Sequence, residues 1–124
     1  MRLRTVRETG YTLVEIMVVV AIIGLLLGIA LPSWHRAREN AQLNSIANNL
    51  RLLESAKQQW ALENKKVSGD SVATDDLTAY LKNNTMPAKI VNEDYVVSTV
   101  SDLVTAVYSG SLAGKTGPYT VTSF

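Results

Sequence analysis

The chain has 124 residues, enough for one small domain, with 47% apolar and 19% charged side chains. A net charge of +1 gives no clustered basic face, which argues against nucleic acid as a partner. There is no cysteine, so disulfide frameworks and thiol chemistry are excluded.

The charge is uneven. Arg2, Arg4 and Arg7 face only Glu8 within the first ten residues, and residues 11–124 keep 9 basic and 10 acidic side chains. From Ile16 to Leu31 there is no charged or strongly polar side chain. Three readings compete for residues 1–34. A removable secretory signal would use Gly28-Ile29-Ala30 as its small-x-small site, but Glu15 stands at the start of its apolar stretch. A plain anchor satisfies length: Tyr11 to Trp34 covers ~36 Å as a helix, against a bilayer core of ~30 Å. It leaves Glu15 unexplained, because an acid inside a span costs ~2.5–3.5 kcal/mol at mid-depth and is functional by default.

The third reading accounts for Glu15. Gly10-Tyr11-Thr12-Leu13-Val14-Glu15, followed directly by the apolar run, resembles the prepilin motif of type IV pilins and type II secretion pseudopilins. The resemblance covers residues 1–34 closely and the remainder in general plan. It implies a leader over residues 1–10, cleavage by prepilin peptidase between Gly10 and Tyr11, and N-methylation of Tyr11. Tyr11 stands where phenylalanine is commoner. It further implies that Glu15 pairs with the terminal amine of an adjoining subunit. A new ammonium and a carboxylate are each costly in lipid; together they offset much of that cost and set axial register. A snorkelling Glu15 that merely reaches the headgroups is the alternative.

Gly24 and Gly28 form a GxxxG pattern that admits close helix approach, although glycine is also simply common in membrane helices. Pro32 lacks an amide donor and its ring meets the carbonyl of Gly28, so both weaken one turn. In filaments of the family the helix is stretched near this point. Trp34-His35-Arg36 reads as an interfacial belt against membrane lipid.

From Ser33 to about Asn64 the period stays helical. Leu43, Ile46, Leu50, Leu53 and Trp60 make a core stripe interrupted by Lys57, with Arg36, Arg38, Glu39, Asn48, Asn49, Arg51 and Glu54 off it. Lys65–Asp70 ends the helix. A short helix follows with Thr74 as N-cap, Asp75 and Asp76 at its positive end, and Leu77, Tyr80 and Leu81 as its apolar face. Asn83–Pro87 breaks it. Strands are expected at Tyr95–Val100, Leu103–Tyr108 and Tyr119–Phe124, with Ser101-Asp102 and Gly110–Gly117 as turn or loop.

The fold class expected is therefore α+β: a long N-terminal helix, membrane-spanning then amphipathic, packed on a small antiparallel sheet. The organisation expected is a leader (1–10), a transmembrane assembly helix (11–34) and a soluble head (35–124). No catalytic or metal constellation is present: His35 is the lone histidine, and Asp75 and Asp76 suit a helix start. No enzyme activity or cofactor is expected. Major pseudopilins hold calcium in a C-terminal loop, by the same resemblance. Here Gly110–Gly117 offers one lysine and no acid, so calcium independence is expected, with Glu93, Asp94 and Asp102 nearby. Asn83-Asn84-Thr85 fits a glycosylation sequon, treated as a chance match because the protein is expected to be bacterial. The functional expectation is a pilus or pseudopilus subunit, with the head's size and the missing disulfide leaning to pseudopilin. It is expected to sit in the bacterial inner membrane with N-terminus cytoplasmic and head periplasmic. Its expected partners are other copies of itself, prepilin peptidase, an inner-membrane assembly platform and lipid. The alternative class is a membrane-tethered periplasmic binding module.

Overall fold

The computed structural model describes residues 10–120. The leader up to Thr9 and the end of the last expected strand, residues 121–124, lie outside them. The helix α1 runs from Leu13 to Glu63, 51 residues with Pro32 inside. The chain divides into two compact units between His35 and Arg36.

In the first unit the α1 side chains from Ile16 to Leu31 are all exposed. An 18-residue window reaches a mean hydropathy of 2.8 with none of it buried. At 1.5 Å per residue that window covers ~27 Å, so by length and composition it is able to cross a membrane. Water is the wrong solvent for such a surface, since no face of it is polar.

In the second unit α1 contributes one face to a core. Ile46, Ala47, Leu50 and Leu53 pack with Val104 and Ala106, and Tyr95, Val97, Leu112 and Tyr119 close over them. A second cluster joins Trp60 and Ala61 to Val72 and Leu77. Full burial of a side chain such as Leu50 or Ile46 contributes about 1.5–3 kcal/mol each. The expected stripe is thus the core face. Helix α1 ends in a Schellman motif: Lys66 N–H reaches Ala61 O at 2.9 Å and Lys65, at φ 51°, reaches Leu62 O at 3.4 Å.

Helix α2 (Thr74–Thr78) has Ala73, not Thr74, at its N-cap. Alanine has no side-chain acceptor; instead Asp76 accepts from the Ala73 amide at 3.3 Å. That reaching-back carboxylate is the N3 half of a capping box; the hydroxyl half is missing, because Thr74 lies one place inside the helix. Leu77 is fully buried, while Tyr80 and Leu81 follow in the turn and are half-buried. A 3-10 turn, Lys82–Asn84, sits at the expected break.

The sheet is β1 (Asp94–Val96), β2 (Thr105–Val107) and β5 (Tyr119–Thr120), antiparallel in the order β1-β2-β5. Tyr95 faces Ala106 across the first pair, and Ala106 faces Tyr119 across the second. The strands are shorter than expected because Val97–Val100 leave the ladder; there only an isolated bridge, Ser71 to Thr99, is made. Gly110–Gly117 is a turn with short strands on either side. It holds a hairpin of β3 (Ser111–Leu112) and β4 (Lys115–Thr116), turning at Ala113 and Gly114 with φ 50° and 78°. Two positive φ values suit the right-handed twist of a two-residue hairpin turn. Glu39 on α1 accepts from the Ala113 amide at 3.2 Å and holds that turn to the helix.

Polar side chains tie helix to sheet. Glu54 was expected off the stripe, yet it is buried, as is Lys57, which is wholly inaccessible. They pair at 2.9 Å; Lys57 also donates to the Asp102 carbonyl, and Glu54 accepts from the Val104 amide at 3.3 Å. The pattern failed for Glu54 because the amide that holds it, that of Val104, lies 50 positions away.

A second network surrounds Glu93, which is fully buried. Its carboxylate accepts from the amides of Ile90 (2.9 Å) and Val91 (2.8 Å) and from the Tyr95 hydroxyl (2.5 Å). Asn49 on α1 donates to the Tyr95 oxygen at 2.8 Å and to Ala88 O at 3.2 Å. Burial pushes the Glu93 carboxyl up, but the bonds from Tyr95, Val91 and Ile90 outweigh it and hold it below the ordinary 4.5. Burial, then the bond to Glu93, pushes Tyr95 up to about 12 from 10. A depressed carboxyl contributes stability that is complete above its unfolded value and lost as pH falls through the folded one. A raised phenol contributes below its unfolded value and loses it as pH rises. Thermal midpoints of the head should therefore fall in acid below about pH 4.5 and in alkali between about 10 and 12. In Glu93→Gln the acid-side decline should be shallower than in wild type, from a lower plateau at neutral pH. Parallel acid limbs in the two proteins would contradict the assignment.

Candidate functional site

The start of α1 is built by four residues. Thr12 precedes the first helical residue, and its hydroxyl accepts from the Glu15 amide at 3.3 Å. The Glu15 carboxylate reaches back, its Oε2 accepting from the Thr12 amide at 2.7 Å. This is a capping box, two otherwise orphaned amides satisfied reciprocally. Sequence reasoning singled out Glu15 for its charge and missed this role. The signal was present as Thr12-Leu13-Val14-Glu15, the S/T-x-x-E pattern ahead of an apolar run.

The box fixes where the acid stands. It holds one carboxylate oxygen against the positive end of the helix, where negative charge is favoured. Among the described residues no bond reaches the other oxygen, so acceptor capacity remains for a cation. Beside it lies a shallow notch lined by Tyr11, Val14, Glu15, Ile16, Val18 and Val19, with Glu15 its lone charged member. Tyr11 is 86% exposed, and a Cβ added at Gly10 would meet nothing within 4 Å. Among the described residues neither is held by packing, which leaves the Gly10–Tyr11 bond open to approach from their side.

The other expected assembly residues lie further along α1 and are not brought to Glu15. A Cβ at Gly24 or Gly28 would meet nothing within 4 Å, so no contact among the described residues needs either to be small. The helix continues through the turn from Gly28 to Pro32. Trp34 and His35 meet edge to face, their rings 5.7 Å apart. Among the described residues there is no cluster of three or more His, Cys, Asp or Glu able to hold a metal. Glu93, one of three acids near the sheet, spends its oxygens on amides and a phenol.

Residues 6–31 match the family model described as the prokaryotic N-terminal methylation motif. The chain carries that motif at its N-terminus, and the relatives it is similar to are pilins and type II secretion core proteins. A fimbrial protein of Pseudomonas aeruginosa is 32% identical over 68 residues, which are 55% of this chain and 44% of that one. The type II secretion system core protein G of Klebsiella pneumoniae is 35% identical over 60 residues, 48% of this chain and 43% of that one. Its counterpart in Dickeya chrysanthemi is 28% identical over 121 residues, covering 95% of this chain and 77% of the relative. The chain spans less than half the length of the first relatives it matches. No solved structure matches it.

Proposed function

We propose that this type IV pilin-like chain is a structural subunit of a pilus or pseudopilus and is not an enzyme. The observation that carries the proposal is the capped helix start: an open Gly10–Tyr11 bond, then Glu15 held at the mouth of an exposed apolar helix. Prepilin peptidase cuts after Gly10 and the new Tyr11 amine is methylated. The chain sits in the inner membrane, N-terminus cytoplasmic and head periplasmic, until an assembly platform extracts it. In the filament Glu15 meets the Tyr11 amine of a neighbour, Gly24 and Gly28 allow close helix approach, and the turn ending at Pro32 loosens. The alignment with core protein G across most of the chain supports pseudopilin over pilus.

The test is N-terminal sequencing of protein extracted from its own membranes. The mature chain should begin at Tyr11. A start at Met1, with monomeric protein, would instead describe a tethered binding module, and a start at Leu31 an ordinary signal peptide.

A further inference from the structure

The 3-10 turn at Lys82–Asn84 carries Asn83-Asn84-Thr85, an N-x-T acceptor pattern for asparagine-linked sugar, and the structure adds what the pattern lacks. All three residues are exposed. Asn83 and Asn84 stand at φ 62° and 54°, and Thr85 then turns extended at φ −129° and ψ 145°. Asparagine tolerates positive φ, so local geometry explains the two asparagines without any modification. It does not explain Thr85, whose hydroxyl makes only a 3.5 Å contact with Lys82 O. Among the described residues no hydrogen bond engages the Asn83 carboxamide. Asn83 is exposed and belongs to neither core cluster nor any strand.

We propose that Asn83 is a glycosylation site. The proposal rests on the reading above in one respect, that the head reaches the outer side of the membrane. The donor class is an oligosaccharide on a polyisoprenyl pyrophosphate. Asn83 Nδ2 attacks the anomeric carbon and forms the N-glycosidic bond while the bond from that carbon to the pyrophosphate oxygen breaks. The lipid pyrophosphate leaves with the electron pair, and the carboxamide gives one proton to a base of the transferase. No oxidant or reductant is needed. Thr85 is the residue the transferase reads at the third place, and Asn84 only fills the turn. The sugar would clothe an exposed turn, placing carbohydrate on the head while leaving both core clusters untouched.

The experiment is mass analysis of the peptide carrying Asn83, from full-length protein purified from its own cell. A discrete glycan mass on Asn83 is expected, lost in Asn83→Gln and Thr85→Ala and kept in Thr85→Ser and Asn84→Gln. A peptide found only unmodified, or a glycan that survives Thr85→Ala, overturns the proposal. The same digest reports the mature N-terminus. A chain starting at Tyr11 with bare Asn83 refutes the sugar alone, whereas a chain starting at Met1 with bare Asn83 counts against the membrane reading as well.

Discussion

Lys57→Met should destabilise the head by about 3–5 kcal/mol, the range for breaking a buried ion pair from one side. The physical reason is what remains. Glu54 keeps its charge in the core and loses the ammonium at 2.9 Å, while the Asp102 carbonyl loses its donor. Methionine fills much of the same volume, so lost packing contributes little to the change. Adding Glu54→Leu removes the stranded charge, and the double variant should recover part of the loss. It should not recover all of it, because the Val104 amide and the Asp102 carbonyl then lack partners, at about 1–3 kcal/mol for each buried group left unpaired. Urea unfolding of detergent-held protein, followed by Trp60 emission in a Trp34→Phe background, measures both. A double variant no more stable than Lys57→Met alone would show that the charge was never the cost. A single-variant loss below ~1 kcal/mol would mean the pair is effectively solvated, as exposed pairs are.

That pair also marks where sequence reasoning stops. Local patterns carried the long helix: a capping sequence, an uncharged run, then apolar residues at 3-4 spacing up to Trp60. They carried the antiparallel sheet in outline, since β-branched and aromatic runs separated by turns have few other uses. They did not carry Glu54, because an acid beside a core stripe looks like a surface residue until a distant amide arrives to hold it. The same is true of Glu93, whose burial depends on two loop amides, on the Tyr95 hydroxyl from β1 and on Asn49 from α1. The β3–β4 hairpin was missed for another reason. Its strands are two residues long and its turn uses Ala113 where asparagine or glycine is the usual signal. At the N-terminus the sequence said more than was drawn from it. Glu15 was singled out for charge, and the capping role was already written in the spacing from Thr12.

Glu15→Leu should be inserted and cut like wild type yet fail to enter filaments. Insertion should not suffer, because leucine costs less in lipid than an acid does, although at the start of the span the gain is smaller than the few kcal/mol of mid-depth. Cleavage should not suffer, because the Gly10–Tyr11 bond lies upstream and neither residue is packed against Glu15 by any bond among the described residues. The variant does lose half of the capping box, the carboxylate on the Thr12 amide at 2.7 Å, at about 0.5–2 kcal/mol of local helix stability. Glu15→Gln separates the two roles. A glutamine side chain is able to accept from the Thr12 amide and restore the cap, but it brings no charge to a neighbour's amine. If charge pairing drives assembly, both variants should stay as membrane monomers in cells lacking the native copy. If only helix capping matters, Glu15→Gln should restore filaments and Glu15→Leu should not. Sheared filament yield against total membrane protein distinguishes the outcomes, and normal yield from the leucine variant would show Glu15 to be dispensable.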